Sequence, residues 1–327
     1  MCIRDRYGTI KKDEVWSGEV HVIGDIEVLP EVTLTILPGT KIYVSAHKDR
    51  NNLKNDNPED FRTGKSDYGW DEEKMEMHFG EPYKDELNHV SLLIQGTLIA
   101  KGTEDEKILI TSDAKKPSIY DWNYFNVNHG ELSYVNLEYC RVFGLQREVE
   151  VTNCTIKNIG ECIAINGNEV RFMHNKVSDC GFELISINHS NPIIKYNRLG
   201  PNRKKYDYQQ SASIFVHGGR PVIENNIFYE SSDPGITFCN TDKEFKGSFT
   251  KNTIKEGCNI FLQCEEDKNL EFYLKIPENN IYSAIHIREG FKKVELDLSN
   301  CFWGTSDLNL IKSRIYGQNT RIHKIKL

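Results

Sequence analysis

From residue 163 the chain keeps returning to one short pattern, an apolar residue, any residue, then another apolar residue. It stands at Ile163-Ala164-Ile165, Ile185-Ser186-Ile187, Ile214-Phe215-Val216, Ile236-Thr237-Phe238, Ile260-Phe261-Leu262 and Ile285-His286-Ile287, with 22 to 29 residues between starts. Side chains alternate along a strand, so the outer pair of each triplet points one way and the middle residue the other. The pattern therefore predicts short strands, each with one face in a core.

A second register advances in step with the first. An asparagine followed two places later by an apolar residue recurs as Asn175 with Val177, Asn197 with Leu199, Asn225 with Ile227, Asn252 with Ile254, Asn279 with Ile281 and Asn300 with Phe302; Asn153 fits the same spacing. The widest interval contains PNRKKYDYQQ, residues 201–210, which reads as a loop inserted into one turn. A period of this length, built from short strands without helical periodicity, predicts a solenoid. Leucine-rich spacing is absent. What remains is a coil in which each strand pairs in parallel with the one a turn below, with asparagines stacked at the turns.

Three further stretches carry a resemblance. Trp16-Ser17-Gly18 leads into VHVIGDIEVLPEVTLTILPGTKIYV, with Leu34-Thr35-Ile36 and Pro38-Gly39-Thr40 at its centre; LLIQGTLIAKGTEDEKILITS follows at 92–112; Asn300-Cys301-Phe302-Trp303-Gly304-Thr305 closes the series. With the repeats, these resemble the pectate-lyase-like group of right-handed parallel β-helix proteins. The resemblance implies an all-β fold, a single-stranded right-handed parallel β-helix solenoid with a polar insertion and a C-terminal capping helix. The chain then divides into a non-native leader at 1–6, since MCIRDR fits nothing downstream, the β-helix at 7–305, interrupted at 45–89 by a polar insertion that departs from the family plan, and a cap at 306–327 formed by the amphipathic DLNLIKSRI. An uncovered solenoid end would template aggregation, which is the reason to expect a cap.

Composition narrows the function classes. The net charge of -7, with acidic and basic residues interspersed, offers no basic stripe, so nucleic acid is not an expected partner. No apolar run reaches the length of a membrane span. Cysteines number nine, none in a CxxC pair, and stand singly in apolar segments, as buried free thiols do rather than zinc ligands or disulfides.

The candidate chemistry lies on the outward face. The residue after each triplet is Asn166, Asn188, His217, Cys239, Gln263 or Arg288; His189, Asn240, Glu265 and Glu289 stand beside them, and Phe215, Phe261 and His286 are middle residues. Amides, imidazoles, a guanidinium and aromatic faces together suit sugar hydroxyls. The expected ligand-binding set is Asn166, Asn188, His189, His217, Arg220, Asn240, Gln263, His286 and Arg288, and the expected partner is a polysaccharide or cell-surface glycan bound by a monomer. The resemblance implies export to the outside or the cell envelope. The bland alternative is a solvated face, with Gly218-Gly219 as a tight turn and Arg220 an ordinary surface residue.

Catalysis finds less support. The paired aspartates of inverting hydrolysis are absent, Asp233 standing alone before Pro234-Gly235, and no carboxylate run surrounds Arg288 as calcium-dependent elimination requires. Two further classes stay open: a lyase or hydrolase with an atypical site, and a rigid scaffold. No metal is expected, although Asp56, Glu59 and Asp60 are loop oxygens that calcium could use outside any EF-hand order. Asp121-Trp122-Asn123 reads as a tryptophan packed under a turn.

Overall fold

The computed structural model describes residues 4–46, 48–51, 89–202, 212–231, 235–239, 244–263, 270–288, 291–317 and 322–327. Strands dominate, and every pairing between them is parallel. One coil turn holds three strands. Ile163–Ile165, Arg171–Met173 and Lys176–Ser178 are followed a turn later by Ile185–Asn188, Ile193–Lys195 and Arg198–Leu199, each pairing with its predecessor. The predicted triplets are thus one sheet of a three-sided coil, with Ile163, Ile185, Ile214, Ile236, Ile260 and Ile285 in a single column.

Period-two alternation fills the coil. The first and third residues of each triplet are buried, and the other two sheets add Val151, Phe172, Ile194, Ile223 and Phe249, and Leu137, Ile156, Val177, Leu199, Phe228, Ile254 and Ile281. Phe228 and Phe249 stack at 5.7 Å, and Phe238 meets Phe249 edge-on at 5.4 Å, so aromatic columns run through the interior as well.

The asparagine register corrects the expectation in a consistent way. The buried ladder is Asn175, Asn197, Asn226, Asn252 and Asn279, each accepting at Oδ1 the backbone N–H of the ladder residue one turn earlier at 2.8–2.9 Å. Each side-chain amide donates to a carbonyl of the previous turn, as Asn226 Nδ2 does to Ile194 O at 2.9 Å. Asn153, Asn225 and Asn300 instead sit one place earlier, in a column of left-handed residues with Tyr134, His174, Tyr196, Lys251 and Glu278. At both ends cysteine takes the ladder position: Cys154 Sγ lies 3.7 Å from Leu132 O and Cys301 Sγ 3.3 Å from Ile276 O. A thiol can donate weakly to a carbonyl, and Cys154 Sγ accepts the Val135 N–H at 3.4 Å, but a cysteine carries no amide to do both jobs at full strength, so the asparagine ladder ends there.

Arg4–Ile10 forms a strand beside Glu19–Val28, beginning with Arg4 against Val20, so Arg4, Asp5 and Arg6 of the expected leader lie in the first described strand. The expected insertion at 45–89 lies largely outside the described residues, as do Asp56, Glu59, Asp60 and Asp233. Toward the other end, the helix Leu308–Ser313 is N-capped by Asp307 and buries Ile311. The chain then resumes the coil: Ile315–Gly317 pairs with Ile285–Ile287, and Ile322–Lys326 joins Phe291–Asp297 and Leu270–Lys275 in a separate three-stranded parallel sheet. The 306–327 segment therefore adds a further turn after its helix. Trp122 is buried, donating from Nε1 to Glu138 O at 3.1 Å, while Asp121 accepts from Ser112 Oγ at 2.5 Å and Ser118 N at 3.0 Å, as a packed tryptophan under a turn requires.

Candidate functional site

The outward surface of the triplet sheet is organised in two columns. The middle column runs Asn126, Gly144, Ala164, Ser186, Phe215, Thr237, Phe261, His286 and Tyr316, each opposite the next in register. Gly144, Ala164 and Ser186 make a low floor, and Phe215 ends it. Beyond the buried Thr237 a stack begins: Phe261 lies on His286 at 4.7 Å with the rings 7° apart, and His286 on Tyr316 at 5.0 Å. Tyr316 is exposed, so the stack presents an open ring face at its end.

The second column is polar. Asn188 Nδ2 donates to Asn166 Oδ1 at 3.2 Å, and Asn166 Nδ2 to Gln146 Oε1 at 3.3 Å, a hydrogen-bonded amide row at the edge of the floor. Farther along, Asn188, His217, Cys239 and Gln263 continue in register, and Arg288 donates to Gln263 Oε1 at 3.2 Å with its guanidinium 5.2 Å from the Phe261 ring. Gln146, which extends the row, was not among the expected residues; its place directly after Leu145, the turn-earlier equivalent of Ile165, was the available signal.

Most of the expected set is thereby brought together: Asn166, Asn188, His217, Gln263, His286 and Arg288 share this face, and His189 packs against His217 at 4.5 Å between ring centroids. Asn240, Glu265 and Glu289 lie outside the described residues. Cys239 and Phe261, expected outward, are buried at 1% and 5% exposure. Arg220 does not join the face. It lies beyond the Gly218-Gly219 turn, where it lines a separate cleft with residues 244–250.

Spacing gave no sign of an acidic pair along the other edge of the face. Arg141, Glu161 and Glu183 each stand two residues before Phe143, Ile163 and Ile185, which share one register, so the three occupy neighbouring turns. Arg141 is buried at 6% exposure and bonds through Nε to Glu161 Oε1 at 2.7 Å. Burial, and to a lesser degree the nearby Glu161 charge, pushes the Glu183 carboxyl up to about 7. One carboxylate is ion-paired and the other retains its proton close to neutrality, the division of states that acid–base work needs.

The described cysteines are inert by comparison. Cys140, Cys154, Cys162, Cys180, Cys239, Cys258 and Cys301 form no disulfide among the described residues, and burial raises Cys140 and Cys162 well above the ordinary range. No group of three or more metal-ligating side chains occurs among the described residues, and no helix among them is long and apolar enough to cross a membrane.

Fold and surface together define a solenoid of parallel strands that displays side-chain columns on its outer faces. Residues 141–302 match the family described as the right handed beta helix region, and the chain is a right-handed parallel β-helix protein. Comparison with curated proteins and with solved structures gave no match.

Proposed function

We propose that the protein binds an extended glycan along the outer face of the triplet sheet. The observation that carries this reading is the hydrogen-bonded amide row Gln146–Asn166–Asn188, set beside a floor of small residues and in line with the Phe261–His286–Tyr316 stack. Amides held in place by their neighbours present donors and acceptors at a fixed spacing, and the open Tyr316 ring face at the end of the stack can take the apolar face of a sugar ring. Each turn advances the surface by one strand spacing, roughly 4.8 Å, so a ligand that lies along it must itself be extended. Preorganised side chains lose little entropy on binding, which is how a shallow face gains affinity. The resemblance to exported β-helix proteins supports placement outside the cell or in its envelope.

A second reading rests on Glu161 and Glu183. A carboxyl with its proton held near neutrality beside an ion-paired carboxylate, at the margin of such a face, is suited to cleaving the bound polymer by acid–base chemistry.

One experiment addresses both. Affinity electrophoresis against a panel of neutral and acidic polysaccharides, with and without calcium, should show one that retards the protein. The Asn166→Ala, Asn188→Ala, His286→Ala triple variant should then bind about tenfold or more weakly, the loss of roughly 1.4 kcal/mol. Absence of retardation by any polymer sinks the glycan reading. New reducing ends or unsaturated products that disappear in Glu183→Gln would favour cleavage, and no product from the bound polymer removes that second reading.

A further inference from the structure

We propose that the turn at Thr237 is a slot for one pyranose ring of the bound glycan. This rests on the glycan reading and adds where along the face a sugar is held and by which groups. The middle column runs Phe215, Thr237, Phe261, His286 and Tyr316, one residue per turn and in register. From Phe261 onward every turn supplies a ring, and neighbouring rings stack at 4.7 and 5.0 Å, close to the strand spacing of about 4.8 Å. Thr237 interrupts that series. It has a ring one turn before it and a ring one turn after it, and brings none of its own.

Spacing sets what fits between the two rings. Phe215 and Phe261 are two turns apart, roughly 9.6 Å. A flat ring in contact with both would fill only about 7–8 Å, since carbon faces meet at about 3.5–4.0 Å. A pyranose is puckered and carries hydrogens above and below its ring, so it reaches both walls. Its faces are apolar and its rim is hydroxylated, which calls for aromatic walls and a polar base.

Thr237 supplies that base. Ile236 and Phe238 are buried in the core, so the Thr237 side chain projects from the opposite side of the strand, between the two rings. It is nevertheless 0% exposed, and its Oγ1 has no hydrogen-bond partner among the described residues. A hydroxyl sealed from water without a partner costs stability, and valine would fill the same space without that cost. A sugar hydroxyl would complete the bond. The flanking positions are Ser213, Gly235 and Asn259 on one side and His217, Cys239 and Gln263 on the other, with no carboxylate, lysine or arginine. Ring faces and hydroxyls, not charge, therefore make the recognition.

The two walls differ in freedom. Phe261 is buried, stacked on His286, and has the Arg288 guanidinium 5.2 Å from its ring. Phe215 is half-buried and, among the described rings, meets only His217, edge-on at 6.4 Å. Thr237 and Cys239 are closed over in the free chain, so the sugar enters as Phe215 turns aside, a fast rotamer change for a side chain at the surface.

The test is saturation-transfer NMR of the intact protein with the methyl pyranosides of glucose, galactose, mannose and xylose, and with indole as a flat control, each at millimolar concentration, beside affinity electrophoresis on the polysaccharide panel. One pyranoside should bind. Thr237→Val should bind it, and the retarding polysaccharide, about tenfold or more weakly. The same variant should melt about 2 °C higher than the parent, because the stranded hydroxyl is gone. Phe215→Ala should lose binding to a similar degree. Loss of binding together with a gain in stability marks a site, whereas a packing role would lower stability. The slot is overturned, and the glycan face stands, if a polysaccharide retards the protein but no pyranoside binds, or if both variants keep the parent's affinity. It is overturned equally if Thr237→Val melts no higher than the parent, or if indole binds as tightly as the best pyranoside. If neither polymer nor pyranoside binds, the glycan reading falls and the slot with it.

Discussion

At the scale of single residues, adjacent asparagines do opposite jobs. Asn226 is 1% exposed, accepts Asn197 N and Nδ2, and donates to Ile194 O, whereas Asn225 holds a left-handed φ of 58° at the surface side of the same turn. Removing Asn226 orphans a buried N–H and a buried carbonyl; each unsatisfied group costs about 1–3 kcal/mol. Asn226→Ala should therefore lower the unfolding free energy in urea by about 2–5 kcal/mol. Asn225→Ala should cost about 1 kcal/mol, because it sacrifices only tolerance of the left-handed backbone. Equal losses would mean that the ladder is not the source of the turn's stability. The same pair shows what the sequence could reveal at this scale. The recurrence of asparagine was readable, but in Asn225-Asn226 the spacing to an apolar residue fits either member, and only burial of Phe228 decides between them. At Asn153 and Asn300 the ladder neighbour is a cysteine, which no asparagine pattern could find.

Elements read more clearly than residues. Six triplets anticipated six strands of one sheet, because alternation and period are backbone properties that any apolar residue satisfies. Chemistry that arises between turns was hidden. Arg141, Glu161 and Glu183 stand about twenty residues apart along the chain and become neighbours only when strands register. His217-Gly218-Gly219-Arg220 illustrates the reverse: four residues in a row are divided by the turn between two faces. The stacked acidic pair yields a pH prediction. Folding raises the Glu183 carboxyl from its ordinary 4.5 to about 7, so the folded chain holds a proton that the unfolded chain releases across that interval. Its contribution to stability is therefore complete below the lower value and declines as pH rises toward the upper one. In Glu183→Gln that decline should vanish. Urea unfolding from pH 4 to pH 8 should find the variant similar to the parent at the acidic end and about 1–2 kcal/mol more stable at the basic end, after allowance for partial exposure. A constant difference across the range would show that burial does not hold the proton.

For the whole molecule the governing fact is that each turn touches only its neighbours. Stability is then a sum of turn terms and interface terms, and an end turn has one interface fewer. Ile187 sits at 0% exposure between strands on both sides, Ile163–Ile165 and Ile214–His217. Among the described residues Ile315–Gly317 pairs only with Ile285–Ile287. Truncating a buried isoleucine to alanine removes about 2–5 kcal/mol where the surroundings cannot collapse. Ile187→Ala should lower global stability by that amount and accelerate amide exchange in the turns on both sides. Ile315→Ala should raise exchange at 315–317, less so at 285–287, and leave residues 163–188 protected, because a frayed end costs the interior nothing. Hydrogen exchange followed by mass spectrometry reads both patterns. If Ile315→Ala loosened the central turns as much as Ile187→Ala does, the coil would be a single cooperative unit and its outward columns would move together. If exchange stays graded, the amide row at 146–188 rests on the interior turns and is independent of the end, as a preorganised binding face requires.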